Sequence, residues 1–326
     1  MPKYQWVLYG LLLCLPACLP LTATRADEGG VPKAGWSFSL AAGAGYMVSN
    51  DQLQPNDGNK RVRDLDDNAN RFDRVIPLAS FDLRYTFAES GRQLYLGTPL
   101  GTDGPPGLTL GAVLPLDDGS QMDLGAFVKP FGEVWEDPYL VDSDRHETDK
   151  HTYGAQIDYT RIGGTGFEAG YTLSRIDIDD DEIGKRFDDL ERDGWIHALQ
   201  LGYAFKLTPG LTLLPQAGFT VGDLDGEANS YRGYRFKLGL RRLAPTHFFN
   251  LSAEIGYQDY DDEHPIFFKD REDVTYSIFG LYTRSNLFGH TPLFGTLLAG
   301  YRHRSVNIDF LEADTVISGI MLGYQF

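Results

Sequence analysis

The sequence is poor in cysteine, poor in long apolar runs and short of positive charge. Its 326 residues include two cysteines, Cys14 and Cys18, both close to the amino terminus. Beyond them a disulfide scaffold, a thiol nucleophile and a cysteine-held metal are all excluded. Only the run from Trp6 to Ala23 is uncharged over the length of a membrane anchor, which rules out a bundle of membrane helices. Lysine and arginine number 29 against 46 carboxylates, a formal charge of −17. Such a chain meets a polyanion against its own field, so general nucleic-acid binding is excluded too. What is abundant is glycine (37) together with tyrosine (18) and phenylalanine (20), at a mean hydropathy of −0.28.

Lys3, the leucine-rich run to Ala23 and the small residues of Thr24-Arg25-Ala26 predict a secretory signal peptide cut after Ala26. A retained anchor helix is disfavoured by Pro16 and Pro20. Leu15-Pro16-Ala17-Cys18 resembles a lipoprotein cleavage motif, but the apolar run continues past the cysteine. Removing residues 1–26 takes away Lys3 and Arg25 and no carboxylate, leaving 27 basic residues against 46 acidic ones, a charge of −19. Both cysteines leave with it. Residues 27–35 read as a periplasmic lead and 36–326 as one domain.

That domain repeats a period of two. Trp36, Phe38, Leu40, Ala42, Ala44 and Tyr46 alternate with Ser37, Ser39, Ala41, Gly43 and Gly45; the same pattern places Trp195, His197, Leu199, Leu201, Tyr203 and Phe205 on one face, and Phe249, Leu251, Ala253, Ile255 and Tyr257 on another. Alternation of this kind predicts strands. Aromatics at both ends of ten-residue strands match the two interfaces of a bilayer, whereas a soluble sandwich has no reason to gather them there. Short turns are expected at 88–92, 117–120, 162–166, 206–210, 244–248 and 285–292. Longer or more acidic loops are expected at 49–72, 101–106, 134–151, 177–194, 222–229, 259–273 and 303–313. The two sets alternate without exception, which predicts an all-β fold: a transmembrane antiparallel outer-membrane β-barrel of about fourteen strands. Twelve strands is the alternative, because Gly101-Thr102-Asp103-Gly104-Pro105-Pro106 is short for an external loop. Ile320, Leu322, Tyr324 and Phe326 share a face at the carboxyl end, as in a signal read by the outer-membrane assembly machinery, with Met321 where a glycine is expected.

Pro77-Leu78-Ala79 running to Tyr85-Thr86-Phe87, then Gln93-Leu94-Tyr95-Leu96-Gly97-Thr98, then Trp135-Glu136-Asp137-Pro138-Tyr139 and Glu147-Thr148-Asp149 resemble the bacterial domain-of-unknown-function family 2860. The resemblance is clearest over about residues 70–150, and it departs at Gly101–Gly107, where a Pro/Gly stretch replaces a charged one. It implies a Gram-negative envelope protein and brings no activity, so no functional residue follows from it.

Candidate chemistry is sparse. There is no G-x-S-x-G elbow and no H-x-x-x-H metal pair. His146, His151 and His264 fall in acidic loops, where histidines are ordinarily solvated, and His303 lies beside Ser305. Asp177, Asp179, Asp181 and Asp188 are spaced much as in a calcium loop, yet its glycine position holds Glu182. Looser Ca²⁺ or Mg²⁺ bridging between the acidic loops and lipopolysaccharide phosphates is the alternative; no cofactor is expected. The strongest lead is strand parity. If Tyr234, Phe236 and Leu238 face lipid, then Arg235, Lys237 and Arg241 point inward, and so by the same parity do Asp82, Arg84, Asp158, Glu168, Glu254 and Lys129. Inward charges either set the ion selectivity of a pore or pair to stiffen it.

The expectation is therefore a porin-like passive channel for small hydrophilic solutes, monomeric or a small oligomer, with Trp36, Tyr46, Trp195, Phe205, Tyr324 and Phe326 at the membrane interfaces. Its partners would be outer-membrane lipid, lipopolysaccharide and the assembly machinery. The rival readings are a barrel enzyme acting on lipid or lipopolysaccharide and a closed structural or assembly barrel. Trp135–Tyr139 or the 49–72 loop folding inward would narrow the lumen.

Overall fold

The computed structural model describes residues 33–66, 69–98 and 107–326. The signal segment 1–26 and the loop at 101–106 lie outside the described residues. Fifteen strand segments follow one another: β1 (Gly35–Ser49), β2 (Phe72–Thr86), β3 (Gln93–Gly97), β4 (Leu108–Pro115), β5 (Gln121–Trp135), β6 (Glu147–Thr160), β7 (Phe167–Ile178), β8 (Gly194–Tyr203), β9 (Phe205–Thr208), β10 (Leu211–Leu224), β11 (Tyr231–Ala244), β12 (His247–His264), β13 (Lys269–Leu287), β14 (His290–Val306) and β15 (Ala313–Gln325). β8 and β9 both pair with β10 and form one barrel strand interrupted at Ala204. The fold is thus a closed antiparallel barrel of fourteen strands, and β3 with β4 completes the pair that the twelve-strand alternative omits.

Closure runs through β1 and β15, in register from Ser39 opposite Gln325 to Ser49 opposite Thr315. Phe38 and Phe326 then exchange both backbone hydrogen bonds, at 2.8 and 2.9 Å, with their rings 5.1 Å apart. No strand edge is left at the seam, as a bilayer demands of any sheet that crosses it.

The outer surface is apolar. Leu40, Leu110, Leu201, Phe236, Ile255, Ile278, Leu297 and Leu322 are all exposed, an arrangement that water penalises and lipid favours. Aromatics share this outward surface, with Trp36, Tyr46, Trp195, Phe205, Tyr324 and Phe326 all exposed. Trp36 and Tyr85 (5.0 Å), Phe167 and Tyr203 (4.8 Å) and Tyr324 and Phe326 (5.8 Å) pair at the turn end. Tyr46, Tyr153, Trp195, Tyr234 and Tyr301 stand toward the loops.

Several connections differ from the sequence expectation. The turn expected at 206–210 contracts to 209–210, because β9 continues the barrel strand to Thr208. The acidic segment 259–273 is mostly strand: β12 runs to His264 and β13 starts at Lys269, raising a hairpin past the apolar band. Inside, glycines let bulky neighbours lie flat on the wall. A Cβ on Gly323 would enter the ring of Phe294, one on Gly45 would meet the Ile76 side chain at 2.9 Å, and one on Gly319 would meet Leu78 at 2.6 Å. Gly323→Val should therefore cost about 1–3 kcal/mol through overpacking, read as an earlier loss of heat-modifiable electrophoretic mobility than in the unsubstituted barrel.

Candidate functional site

Strand parity fixes which residues reach the lumen. Arg235, Lys237 and Glu254 alternate with exposed Tyr234, Phe236, Leu238, Ala253 and Ile255 and face inward, and the same strand parity puts Asp82, Arg84, Lys129, Asp158, Glu168 and Arg241 on the inward side. Register then groups them. One rung of the sheet runs Asp123, Asp158, Gly170, Gln200, Gly218, Arg235 from strand to strand. The next runs Glu168, Gly202, Gln216, Lys237, Glu254. The first rung runs from acid to base; the second starts on Glu168 and ends on Lys237 beside Glu254, and in both glycine and glutamine lie between.

The charges are partly spent on one another. Arg84 grips Asp82 (3.3 and 3.2 Å), donates to Gln93 Oε1 (2.6 Å) and lies over the ring of Tyr95, whose hydroxyl donates to Asp123 (2.7 Å). Arg235 donates to Gln200 Oε1 (3.3 Å) and stands 3.8 Å from Glu254. Arg241 exerts its charge on Glu168 across the wall, and Lys129 lies 5.8 Å from the ring of Phe127. Asp123, absent from the sequence-based set, sits directly opposite Asp158. Its inward parity with Gln121 and Gly125 is the signal that identifies it.

The loop end is closed by a core of its own. Val62, Tyr139, Ile183, Leu190, Ala228, Val306, Ile308, Phe310 and Leu311 form a buried cluster, with Leu53, Phe187, Ile266 and Phe267 packed against it. These side chains come from six of the loops, so segments expected to be solvated are instead folded over the barrel mouth. Both segments named above as able to fold inward do so. Each fully buried aliphatic or aromatic side chain of this size is worth about 1.5–3 kcal/mol.

Arg145 ties the cap together. It is 1% exposed, lies 4.4 Å over the Trp135 ring, and donates to the carbonyls of Gln52 (3.1 Å), Pro138 (2.8 Å) and Asn59 (3.0 Å from Nε, with a second bond from Nη2). Trp135 Nε1 donates to the same Gln52 carbonyl (3.1 Å). Burial lowers the Arg145 pKa to about 10, which leaves the guanidinium charged at neutral pH. Farther round, Arg192 joins Asp181 (2.9 and 2.5 Å) to the Glu136 carbonyl (3.1 Å), Asn229 reaches the Leu190 carbonyl (2.8 Å), and Arg304 joins Asp51 (2.9 Å) to the Leu311 carbonyl (2.9 Å).

This packing corrects two expectations. Asp177, Asp179, Asp181 and Asp188 are not assembled into a calcium loop. Asp181 caps the short helix α1 (Glu182–Arg186) and is held by Arg192, Asp179 stands 3.4 Å from His151, Asp177 lies beside Asp193, and Asp188 opens a separate turn of 3-10 helix. The described residues that do bring three carboxylates within 4.8 Å are Glu191, Asp193 and Asp225. Two of these are already engaged: Asp193 accepts from the Ile178 amide (2.9 Å) and Asp225 lies 3.9 Å from Arg175. His264, expected to be solvated, is fully buried against Tyr139 (5.0 Å) and Phe267 (4.8 Å). Of the other histidines weighed, His146 is exposed, and His303 contacts Asp314 (3.1 Å) on the outward face, where Asp314 also accepts from Tyr301 (2.6 Å). Tyr171–His197 (2.7 Å) and Tyr282–His247 (2.6 Å) are direct histidine–tyrosine contacts on the outward face.

The cap is open to test at two of its residues. Arg145→Ala removes four hydrogen bonds and the ring contact at once, and should destabilise the cap by about 2–4 kcal/mol; proteolysis of intact protein should then cut within 50–71 and 136–146 faster than in the wild type. Burial, reinforced by the Arg271 charge, lowers the His264 pKa to about 4 against an ordinary 6.5. An opened cap binds that proton at higher pH than a closed one, so cap stability should fall as pH drops from about 6.5 to 4, by about 3 kcal/mol in all. The protection factors of the Tyr139 and Phe267 amides against hydrogen exchange should fall over that window, and His264→Phe should flatten the dependence.

None of the curated proteins matches this chain. Among solved structures it is similar to the outer membrane channel DcaP of Acinetobacter baumannii, at 11% identity over 90% of this chain and 98% of that one, with a TM-score of 0.44. A FadL homologue of Pseudomonas aeruginosa overlays at 10% identity, 90% and 91% coverage and a TM-score of 0.45. An anion-selective porin from Comamonas acidovorans overlays at 9% identity, 90% and 100% coverage and 0.41. These scores lie below 0.5, and the fold stands on the strand pairing described above. The model of one family spans nearly the whole barrel, residues 35–325, and the chain belongs to it: the family described as "Protein of unknown function (DUF2860)".

Proposed function

We propose that this barrel resides in the outer membrane of a Gram-negative bacterium and is a channel for small hydrophilic solutes, closed at its outer mouth by its own loops. The observation that carries the reading is the pair of neighbouring rungs with acid on β5–β7 and base on β11, where Glu254 of β12 stands beside Lys237 and offsets part of that positive charge. Opposed charges across a lumen orient and filter small polar solutes. Glycine and glutamine between the poles keep that wall low and polar, which a merely structural interior does not need. The cap adds a condition: it must yield before solute passes. Lipopolysaccharide, bridged to the acidic outer loops by divalent cations, is a natural partner on that side. The strand ending at Phe326 offers its outward aromatics to the assembly machinery.

The contact between His303 and Asp314 at the outer rim keeps a second reading alive, a surface hydrolase of lipid or lipopolysaccharide. Release of fatty acid from labelled phospholipid that is abolished by His303→Ala would establish it.

Planar-bilayer recording tests the channel. Wild-type protein should conduct poorly or in bursts, and Arg145→Ala should conduct steadily. Silence from both, with the barrel correctly folded, rejects the channel in favour of a structural barrel. In the conducting variant, replacing Arg235, Lys237 and Arg241 with Ala should move the reversal potential toward cation selectivity; an unchanged potential removes these residues from the permeation path.

A further inference from the structure

Between the cap and the charged rungs lies a chamber of about 270 Å³. Its walls come from nine strand segments, β5 to β7 and β10 to β15, so it occupies the centre of the barrel rather than a crevice in one wall. Its roof is the cap itself, through Leu53, Pro138, Tyr139, Ile183 and Leu190. A cavity of 150 Å³ accommodates benzene; this one has room for on the order of twelve non-hydrogen atoms.

The charges lining it are unequal in what they have left to offer. Arg192 is held by Asp181 and the Glu136 carbonyl, Arg271 grips Asp273 (2.8 and 2.6 Å), and Arg304 is divided between Asp51 and the Leu311 carbonyl. Lys150 differs. The charged groups acting on it are Arg192 and Lys129, both cations, and no described carboxylate forms an ion pair with it. The chamber's other carboxylate, Glu133, lies in the field of Glu147, Asp149 and Arg74 instead. A cation withdrawn from bulk water among like charges is costly until an anion joins it. Ile176, Ile178 and Leu224 make the rest of that wall apolar.

We propose that this chamber binds a small amphipathic carboxylate, its anionic head paired with Lys150 and its apolar body against Ile176, Ile178 and Leu224. The proposal rests on the channel reading only for its physiological sense, since it names the class of solute held between cap and lumen. Binding itself requires no transport.

The test uses the full-length folded barrel in lipid nanodiscs, with 4-phenylbutyrate as probe and calorimetry as readout. The wild type should bind it, Lys150→Met should weaken binding about ten-fold or more, and Lys150→Arg should retain most of it. The neutral isostere 4-phenylbutyramide should bind about ten-fold more weakly to the wild type, a comparison that holds even if Lys150→Met fails to fold. Inorganic phosphate should compete poorly. No binding by the wild type, equal binding of acid and amide, or phosphate binding as tightly as the probe each overturns the proposal. Loss of conductance with binding intact rejects the channel and leaves the site standing; binding lost with conductance intact does the reverse.

Discussion

Every backbone amide and carbonyl that crosses a bilayer must find its partner within the protein, and the rest of this molecule depends on how the sheet meets that demand. The ring closes where Phe38 and Phe326 exchange hydrogen bonds. Once it is closed, parity is no longer free. Each strand must show lipid one residue and the lumen the next, so Phe236 and Leu238 outside oblige Arg235 and Lys237 to be inside. The same register that seals the wall lines the charges up, because partners across strands are fixed together with the hydrogen bonds.

The loops are under no such obligation, and here they build a second core. It resembles the interior of a small soluble domain more than a fringe of barrel loops: aliphatic side chains pack around Tyr139, while Arg145 bonds the carbonyls of Asn59 and Pro138. Acid on the loop surface and apolar residues beneath it are compatible: Asp188 and Asp189 are exposed while Leu190, next in the chain, is buried. The chain thus has two apolar systems of opposite sense, one turned outward to lipid and one turned inward over the mouth, with a polar lumen between them. A buried arginine whose side-chain hydrogen bonds go to backbone carbonyls holds the second together, so the cap depends on a single residue.

Much of this is legible in the sequence. The alternation of Trp36 to Tyr46, the aromatics at strand ends, and the strict exchange of short and long connections lead to fourteen strands. Parity likewise leads to the inward placement of Arg235, Lys237 and Glu254. The cap is not legible, because Ile183, Leu190, Ile308 and Phe310 follow no period and are scattered among acids. His264 misleads for the same reason: its neighbours in sequence are acidic and its neighbours in space are aromatic. Asp181 supplies calcium-like spacing, but a helix cap and Arg192 claim its oxygens.

The sequence by itself determined the barrel, its face pattern and the sign of the charges inside, since a two-residue period is a local property that closure merely makes consistent. Tertiary structure decided that the mouth is shut and that Lys150 has cations for company. Those facts depend on which distant segments meet: six loops at one end, and nine strand segments around one chamber. No local pattern records meetings of that kind.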